Sequence, residues 1–344
     1  MFLLICFSAG RIHAQERAWD EPLEKADLLL FSSHSDDEHL FFAGILPYCA
    51  ANGIKAQVVY MTNHNDYPLR NIELLNGLWA VGIRSYPVIS HFPDLFSESL
   101  EEALRVYRNR GFFEEDFIEY CVVNIRRFKP QVIIGHDIAG EYGHGTHMLS
   151  AAALMKAAEL AADSSYHSES FNLYGVWDTP KIYLNQWNER RIHLTSINEP
   201  LPFFDGKTAF QVSQHGFTYH QSQHWTWFYR WLFGTAEAPI TNSTQIGLHQ
   251  PGRFGLYRTL VGDDSPDASH FFENITLIKD ITEQFPEETE SEISAVYYDE
   301  PAVFLEPVIT EEPRQYLKFV IPALIIISAA VLLLLLIRKK PKRK

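Results

Sequence analysis

The first half of the chain alternates short apolar runs with longer stretches in which apolar residues recur every three or four positions. The short runs predict buried strands, and the longer stretches predict amphipathic helices. Strands that alternate with helices at this spacing form a mostly parallel sheet with helices on both faces, which is an α/β fold. The predicted strands cover residues 27–33, 55–62, 86–90, 131–135 and 181–184, and the predicted helices cover residues 38–51, 69–81, 96–109, 114–127 and 144–162.

Beyond residue 184 the pattern changes twice. Residues 206–234 look helical but are crowded with Gln, His and aromatic residues, whereas residues 281–316 are rich in Glu, Pro, Thr and Ser. The second composition is typical of a solvated spacer. We therefore predict a folded domain over residues 24–280 and an acidic stalk over residues 281–316.

Both ends of the sequence carry membrane signals. The predicted span, residues 317–337, contains an uncharged run over 319–337 that is long enough, as a helix, to cross a bilayer core of about 30 Å. The positive-inside rule places the basic tail, residues 338–344, in the cytoplasm and the domain on the opposite side. Residues 1–15 have the apolar core and cleavage region of a signal peptide, without the usual basic start. We predict a single-pass cell-membrane protein whose domain is extracytoplasmic.

Charge and cysteine content narrow the functional classes. The formal net charge is −14, even though the basic tail contributes six positive charges. A domain with this much negative charge repels nucleic acid. We therefore exclude nucleic acid as a partner. The three cysteines, Cys6, Cys49 and Cys121, lie in apolar or amphipathic segments where buried free thiols are ordinary, so we expect neither a disulfide framework nor a cysteine metal site.

Two clusters of histidines and acids directly follow predicted strands. The first, residues 34–39, reads HSDDEH, and the second, residues 136–147, reads HDIAGEYGHGTH. Because the carboxyl ends of parallel strands share one edge of a sheet, the two clusters can meet there. Two imidazoles and a carboxylate are a common ligand set for a catalytic Zn²⁺. The alternative for the first cluster is a polar turn in which Asp37 or Glu38 serves the N-terminus of the next helix.

Residues 34–38 (HSDDE) and 143–147 (GHGTH) resemble the two signature motifs of the PIG-L/LmbE-like deacetylases. Members of that family are zinc enzymes of Rossmann-like fold that remove the acetyl group from N-acetylglucosamine units. The resemblance covers about residues 26–184, with a weaker echo at residues 220–223. It implies a Rossmann-like three-layer α/β/α domain with a mostly parallel sheet.

Carried over position by position, the resemblance implies a role for each residue of the two motifs. His34, Asp37 and His147 would bind Zn²⁺, and Asp36 would be the general base that takes a proton from the attacking water. His144, as an imidazolium, would stabilise the oxyanion or protonate the leaving amine. This division suits amide hydrolysis, which needs an activated water, an anion-stabilising group and a proton for nitrogen.

The chain departs from the family pattern at two positions. Ser35 stands where the family usually has proline, and Thr146 stands where an acid often orients the catalytic histidine. We expect that Asp137 or Glu141 replaces this acid, or that the pKa of His144 is lower. Two neighbours of the first motif are predicted to stay outside the metal site: Glu38 supports the helix start or the ligands, and His39 points away.

Four residues are predicted to bind substrate, and three of them also have an ordinary structural alternative. Arg70 and Glu73 match an Arg-x-x-Glu pattern in which the arginine faces substrate, but their spacing also suits a surface ion pair. Asp94 is placed to accept sugar hydroxyls or to cap its own loop. Tyr142 is placed to close over the acetyl group. His220 lies in an aromatic region that lines a sugar pocket or belongs to the core.

These features together predict a membrane-anchored, zinc-dependent N-deacetylase. Its substrate would be an N-acetylglucosamine-type sugar in a glycolipid, glycan or glycoconjugate, and acetate would be released. The alternative from another functional class is a catalytically impaired family member that acts as a membrane-anchored glycan-binding module. Ser35 and Thr146 motivate that alternative.

Overall fold

A seven-stranded sheet forms the centre of residues 19–279, which are the residues that the computed structural model describes. The strands are β1 (Leu28–Ser32), β2 (Ala56–Tyr60), β3 (Val88–Ile89), β4 (Val132–Gly135), β5 (Lys181–Asn185), β6 (Arg191–His193) and β7 (Arg253–Thr259). Their order is β3-β2-β1-β4-β5-β7-β6. The first five are parallel, and β7 is antiparallel to both β5 and β6, so the predicted mostly parallel sheet is confirmed.

Helices cover both faces of this sheet, which gives the predicted three-layer arrangement. The described residues contain α1 (Ile45–Ala51), α2 (Leu69–Ala80), α3 (Leu100–Arg108), α4 (Glu114–Phe128), α5 (Gly145–Leu160), α6 (Ser168–Tyr174), α7 (Ala209–Phe217) and α8 (Trp227–Phe233). One buried core joins a sheet face to α1, α2 and α7. A second core joins the opposite face to α3, α4 and α5.

The central strand β1 shows why the layers form. Its side chains alternate between the two cores, with Leu28 and Leu30 on one face and Leu29 and Phe31 on the other. All are essentially inaccessible to solvent. Because successive side chains of a strand point to opposite faces, a continuously apolar strand must be covered on both sides.

The segment between β1 and α1 differs from the prediction. The expected helix over 38–51 begins only at Ile45, and residues 34–43 form a buried succession of turns. The Asp37 and Glu38 side chains fold back onto the residues before the predicted helix: His34 N donates to Asp37 Oδ2 at 2.8 Å, and Asp36 N donates to Glu38 Oε2 at 2.9 Å. Short acidic side chains compete with helical hydrogen bonds in this way. Glu38 therefore does not support a helix start.

The second half of the described chain contains more separate helices and strands than the sequence predicted. The stretch predicted as helical over 206–234 forms α7 and α8, separated by a turn of 3₁₀ helix, Gln221–Gln223. The sequence analysis did not predict α6, β6 or β7. β6 is a short, partly exposed edge strand, and β7 lies between β5 and β6 with several partly exposed residues. A continuous apolar run is not required at this antiparallel end of the sheet.

Several predicted segments lie outside the described residues: the signal peptide, the acidic stalk, the span over 317–337 and the basic tail. Within residues 19–279, no helix combines the length and apolar character needed to cross a membrane. Cys49 and Cys121 are buried free thiols, as predicted.

Arg126 joins the end of α5 to the start of α6. Its side chain is fully buried and donates hydrogen bonds to Ser170 Oγ and to the carbonyl oxygens of Leu160, Ala161, Asp163, Tyr166 and His167. The last carbonyls of a helix have no partner within the helix, so these contacts act as a cap.

We expect Arg126→Met to lower the free energy of unfolding by about 3 kcal/mol, because it leaves several buried carbonyls unpaired. Chemical denaturation of the full-length chain measures this change. Arg127→Met, at the partly exposed next position, is the matched control. An equal loss in both variants would show that the buried hydrogen bonds of Arg126 do not determine the effect.

Candidate active site

Both predicted clusters meet at the carboxyl edge of the sheet. The first follows β1, and the second follows β4, which pairs directly with β1. Three atoms converge there: His34 Nδ1 is 3.2 Å from Asp37 Oδ2 and 3.0 Å from His147 Nε2, and His147 Nε2 is 3.3 Å from Asp37 Oδ2. Ligands around a tetrahedral Zn²⁺ stand about 3.3 Å apart. The donor set and its spacing therefore fit one Zn²⁺.

The outer nitrogens of the two histidines support the same assignment. His147 Nδ1 lies 2.8 Å from Glu141 Oε2, and His34 Nε2 lies 3.3 Å from Asp94 Oδ1. A metal-binding histidine commonly donates its second ring N–H to a carboxylate, which fixes the ring and its tautomer. His147 has such a hydrogen-bonded carboxylate, and His34 has a carboxylate nearby that is not in hydrogen-bond geometry.

Glu141 was predicted to orient His144, but its side chain contacts His147 instead. Its carboxylate is fully buried and bridges His147 to His136, with Oε2 2.9 Å from His136 Nδ1. His136 Nε2 in turn accepts a hydrogen bond from Ser33 N at 2.8 Å. The expectation that Asp137 or Glu141 orients His144 is therefore wrong. Glu141 orients a predicted ligand, and Asp137 accepts a hydrogen bond from Ala139 in its own loop.

The protonation of the two histidines is tied to the surrounding acids. Burial lowers the pKa of His34, but Asp94 and Asp37 outweigh burial and raise that pKa to about 10. Burial opposes protonation of His147 as well, yet Asp37 and Glu141 raise its pKa to about 9. Metal binding at these nitrogens must therefore release protons.

Asp36 is adjacent to this triad but is held by a different partner. Its Oδ1 lies 3.3 Å from Arg70 Nη2, which also donates to the Ser35 carbonyl oxygen at 3.0 Å. Burial raises the pKa of Asp36, Arg70 opposes this rise and Asp37 adds to it, and the resulting pKa is about 7. A carboxylate with a pKa near neutral pH is suited to take up and return a proton.

Arg70 faces the site, not the surface. Its Nη1 lies 3.6 Å from Asp94 Oδ2, and its side chain is largely buried. Glu73 turns elsewhere and accepts a hydrogen bond from Ser222 N at 2.8 Å. The alternative of a surface ion pair between Arg70 and Glu73 is therefore wrong.

Asp94 directs its carboxylate towards the site as well, which excludes a simple role as a loop cap. Besides His34 and Arg70, it faces His64, whose Nδ1 lies 3.4 Å from Asp94 Oδ2. His64 Nε2 accepts a hydrogen bond from Ser35 N at 3.3 Å, so this histidine joins the β1 loop to Asp94. His64 lies outside both clusters and was not predicted from the sequence.

His144 is held as a neutral imidazole. Its Nδ1 accepts a hydrogen bond from Thr146 N at 3.1 Å, so Nε2 carries the ring proton. Burial, together with the charges of His34 and His147, lowers the pKa of His144 to about 2. This hydrogen bond suits the alternative of a lowered pKa better than the expected imidazolium.

An open cleft of about 290 Å³ collects most of the predicted residues. Tyr142 stands at its edge, and burial and the nearby Asp37 and Asp36 raise the pKa of its hydroxyl well above the usual range, so that it remains a hydrogen-bond donor. The lining residues are His34, Asp36, Asp37, Arg70, Asp94, Phe96, Tyr142, His144, Gln223 and Phe228. An adjoining cavity of about 440 Å³ shares Arg70, Asp94 and Gln223 with this cleft.

His220 does not line the cleft, which corrects its prediction as a substrate-binding residue. Its side chain is fully buried and faces Glu38 and His39. The 3₁₀ turn that follows α7 presents Gln223 to the cleft instead. His39 lies outside the triad, as predicted.

Comparison with known families identifies the part of the chain that builds this site. Residues 29–158 match the family model for PIG-L, described as GlcNAc-PI de-N-acetylase. This part of the chain is similar to a PIG-L family domain. The matched region extends from β1 into α5 and includes the whole triad, Asp36 and Glu141.

Curated relatives of this part of the chain include proteins named 1D-myo-inositol 2-acetamido-2-deoxy-alpha-D-glucopyranoside deacetylase. The Catenulispora acidiphila protein, numbered 1, is 26% identical over 184 residues, 47% of this chain and 56% of its own length. The Streptomyces griseus protein is 44% identical over 165 residues, 42% of this chain and 51% of its own. The chain thus spans little more than half of these relatives.

Solved structures similar to this one include N,N'-diacetylchitobiose deacetylase from Pyrococcus horikoshii. The two structures superpose with a TM-score of 0.47 at 13% sequence identity, and the comparison covers 68% of this chain and 85% of the other.

Proposed function

We propose that the protein is a zinc-dependent N-deacetylase that hydrolyses the acetamide of an N-acetylglucosamine-type sugar and releases acetate. The observation that carries this proposal is the convergence of His34 Nδ1, Asp37 Oδ2 and His147 Nε2 beside Asp36 in an open cleft. The names of the family and of its curated relatives, which act on N-acetylated glucosamine units, support the class of substrate.

Each residue of the cleft has a chemical task in this reaction. A Zn²⁺ held by His34, Asp37 and His147 would supply a Lewis acid and lower the pKa of water. Asp36 accepts the proton of the attacking water and returns it to the leaving amine, because an amine anion is a poor leaving group. The His144 Nε2–H and the Tyr142 hydroxyl are neutral donors for the developing oxyanion.

The two adjoining cavities favour a substrate larger than a single sugar. Together they place Arg70, Asp94 and Gln223 between the acetamide cleft and a second space that includes Asn65 and Trp225. An exposed tryptophan face stacks readily on a sugar ring. We therefore assign the substrate to a glycolipid, glycan or glycoconjugate.

The proposed reaction is tested by acetate release. Full-length protein loaded with Zn²⁺ is incubated with N-acetylglucosaminyl conjugates, and acetate is measured before and after removal of zinc by a chelator. We expect turnover that is lost on chelation and restored by zinc. Glycan binding with bound zinc but no acetate release from any conjugate would favour the glycan-binding module instead.

We expect His144→Ala to lower kcat about 100-fold, because one preorganised oxyanion donor is removed. The zinc content should not change, since His144 is not part of the triad. Steady-state kinetics and elemental analysis of the full-length variant measure both quantities. The control is His193→Ala at an exposed position of β6. A His144→Ala enzyme with unchanged kcat would contradict this role.

We also propose that the enzyme is anchored in the cell membrane by residues 317–337 with its domain outside the cytoplasm. The support is the uncharged run followed by a basic tail. Protease added to intact cells or spheroplasts should remove the domain. Complete protection of the domain would reverse this orientation.

A further inference from the structure

A second group of metal-binding side chains lies behind the cleft and has no role in the proposed reaction. It consists of Glu38, His39 and His220, and we call it the Glu38 cluster. All three side chains are completely inaccessible to solvent. Within the described part of the chain, Glu38 Oε1 and both ring nitrogens of each histidine lack a hydrogen-bond partner. Buried polar atoms of this kind normally have partners.

The unpartnered atoms point at one another with the spacing of metal ligands. His39 Nε2 and His220 Nε2 each lie 3.5 Å from Glu38 Oε1, and one ligand atom from each residue lies within 4.8 Å of the others. Two ligands at about 2.1 Å from a tetrahedral Zn²⁺ are separated by about 3.4 Å. Two imidazoles and one carboxylate suit zinc better than calcium or magnesium, which take oxygen ligands.

Neighbouring elements enclose this cluster tightly. Gly77 of α2 and Gly216 of α7 leave room for the His39 ring. A Cβ at Gly77 would lie 2.6 Å from His39 Nε2, and a Cβ at Gly216 would lie 2.5 Å from His39 Cε1. The buried Tyr60 of β2 also lies beside Glu38. Parts of the fold that are distant in sequence therefore meet at these three side chains.

We propose that Glu38, His39 and His220 bind a second, structural Zn²⁺. The ion joins the β1 loop, through Glu38 and His39, to the turn after α7, through His220. Glu38 Oε2 accepts the main-chain N–H of Asp36 at 2.9 Å, so the same carboxylate ties the second ion to the loop that carries the proposed general base. This site differs from the His34–Asp37–His147 triad in its ligands and in its complete enclosure.

Zinc stoichiometry of the full-length chain tests this assignment. After zinc loading and desalting, elemental analysis should find two equivalents in the wild type, one in His147→Ala, one in His220→Gln and none in the double variant. His215→Gln, an exposed position of α7, is the control and should retain two. One equivalent in the wild type with none in His147→Ala would overturn the proposal, and so would two equivalents in His220→Gln.

The rate of zinc loss separates the two ions without requiring that His220→Gln folds. The triad borders an open cleft, whereas the Glu38 cluster is enclosed, so excess chelator should remove zinc from the wild type in a fast and a slow phase. Only the slow phase should remain in His147→Ala, which leaves the Glu38 cluster intact. A single fast phase in the wild type would contradict a buried second ion.

Discussion

Asp36→Asn should abolish most amide hydrolysis while the zinc content stays the same. The substitution keeps the shape of the side chain but removes the group that accepts a proton, and general base catalysis of this kind contributes 10²- to 10⁴-fold. We therefore expect kcat to fall about 1,000-fold. Asp36 contacts Arg70 and contributes none of the three converging atoms, so zinc should remain bound.

His147→Ala is the informative comparison for this prediction. It removes Nε2, which lies 3.0 Å from His34 Nδ1 and 3.3 Å from Asp37 Oδ2, and should lose both activity and the cleft zinc. Parallel measurement of kcat and of zinc per chain thus separates proton transfer from metal binding. If Asp36→Asn also lost the cleft zinc, Asp36 would belong to the metal site. If its kcat were unchanged, another group would be the base.

The sequence predicted those site residues whose positions follow from the topology of the sheet. His34 and Asp37 follow one parallel strand, His147 begins the helix after the neighbouring strand, and adjacent parallel strands end at the same edge. Burial of β1 on both faces was equally predictable from its continuous apolar run. Motif and topology together are therefore sufficient to predict the triad from the sequence.

Other features depended on contacts that spacing along the chain does not encode. Glu141 is close in sequence to both His144 and His147, and only the 3₁₀ turn at Glu141–Gly143 and its hydrogen bond decide that it serves His147. His220 and Gln223 are three residues apart, yet the first is fully buried and the second lines the cleft. The late start of α1 was hidden because the Asp37 and Glu38 side chains bond back to the main chain of His34 and Asp36, which the apolar spacing of residues 38–51 does not encode.

Thr146 illustrates how a departure from the family pattern can be accommodated. The expected acid would have kept His144 charged, whereas Thr146 N donates to His144 Nδ1 and its hydroxyl donates to the Leu95 carbonyl oxygen. The ring is therefore fixed in the tautomer that directs an N–H donor from Nε2. A neutral donor can stabilise an oxyanion but cannot give its proton to the amine as readily as an imidazolium. In the proposed reaction, proton return to nitrogen is therefore the task of Asp36.

Glu141→Gln should weaken zinc binding in the cleft 10- to 100-fold, which is the usual effect of removing a carboxylate that orients a metal-binding histidine. Glu141 Oε2 lies 2.8 Å from His147 Nδ1 and 2.9 Å from His136 Nδ1, so one carboxylate fixes two rings. The amide keeps the size of the side chain but loses the negative charge, and the His147 ring becomes a weaker and less well oriented ligand. Competition with a chelator of known affinity measures the change.

Asp137→Asn is the matched control for Glu141→Gln because it removes a nearby charge whose side chain contacts its own loop. We expect its zinc affinity to stay within about twofold of the wild type, the size of effect of a screened, partly exposed charge. The activity of Glu141→Gln should recover when zinc is raised to saturate the weakened site, because Asp36 and His144 remain in place. If activity stayed low at saturating zinc, Glu141 would act on the reaction itself and not through His147.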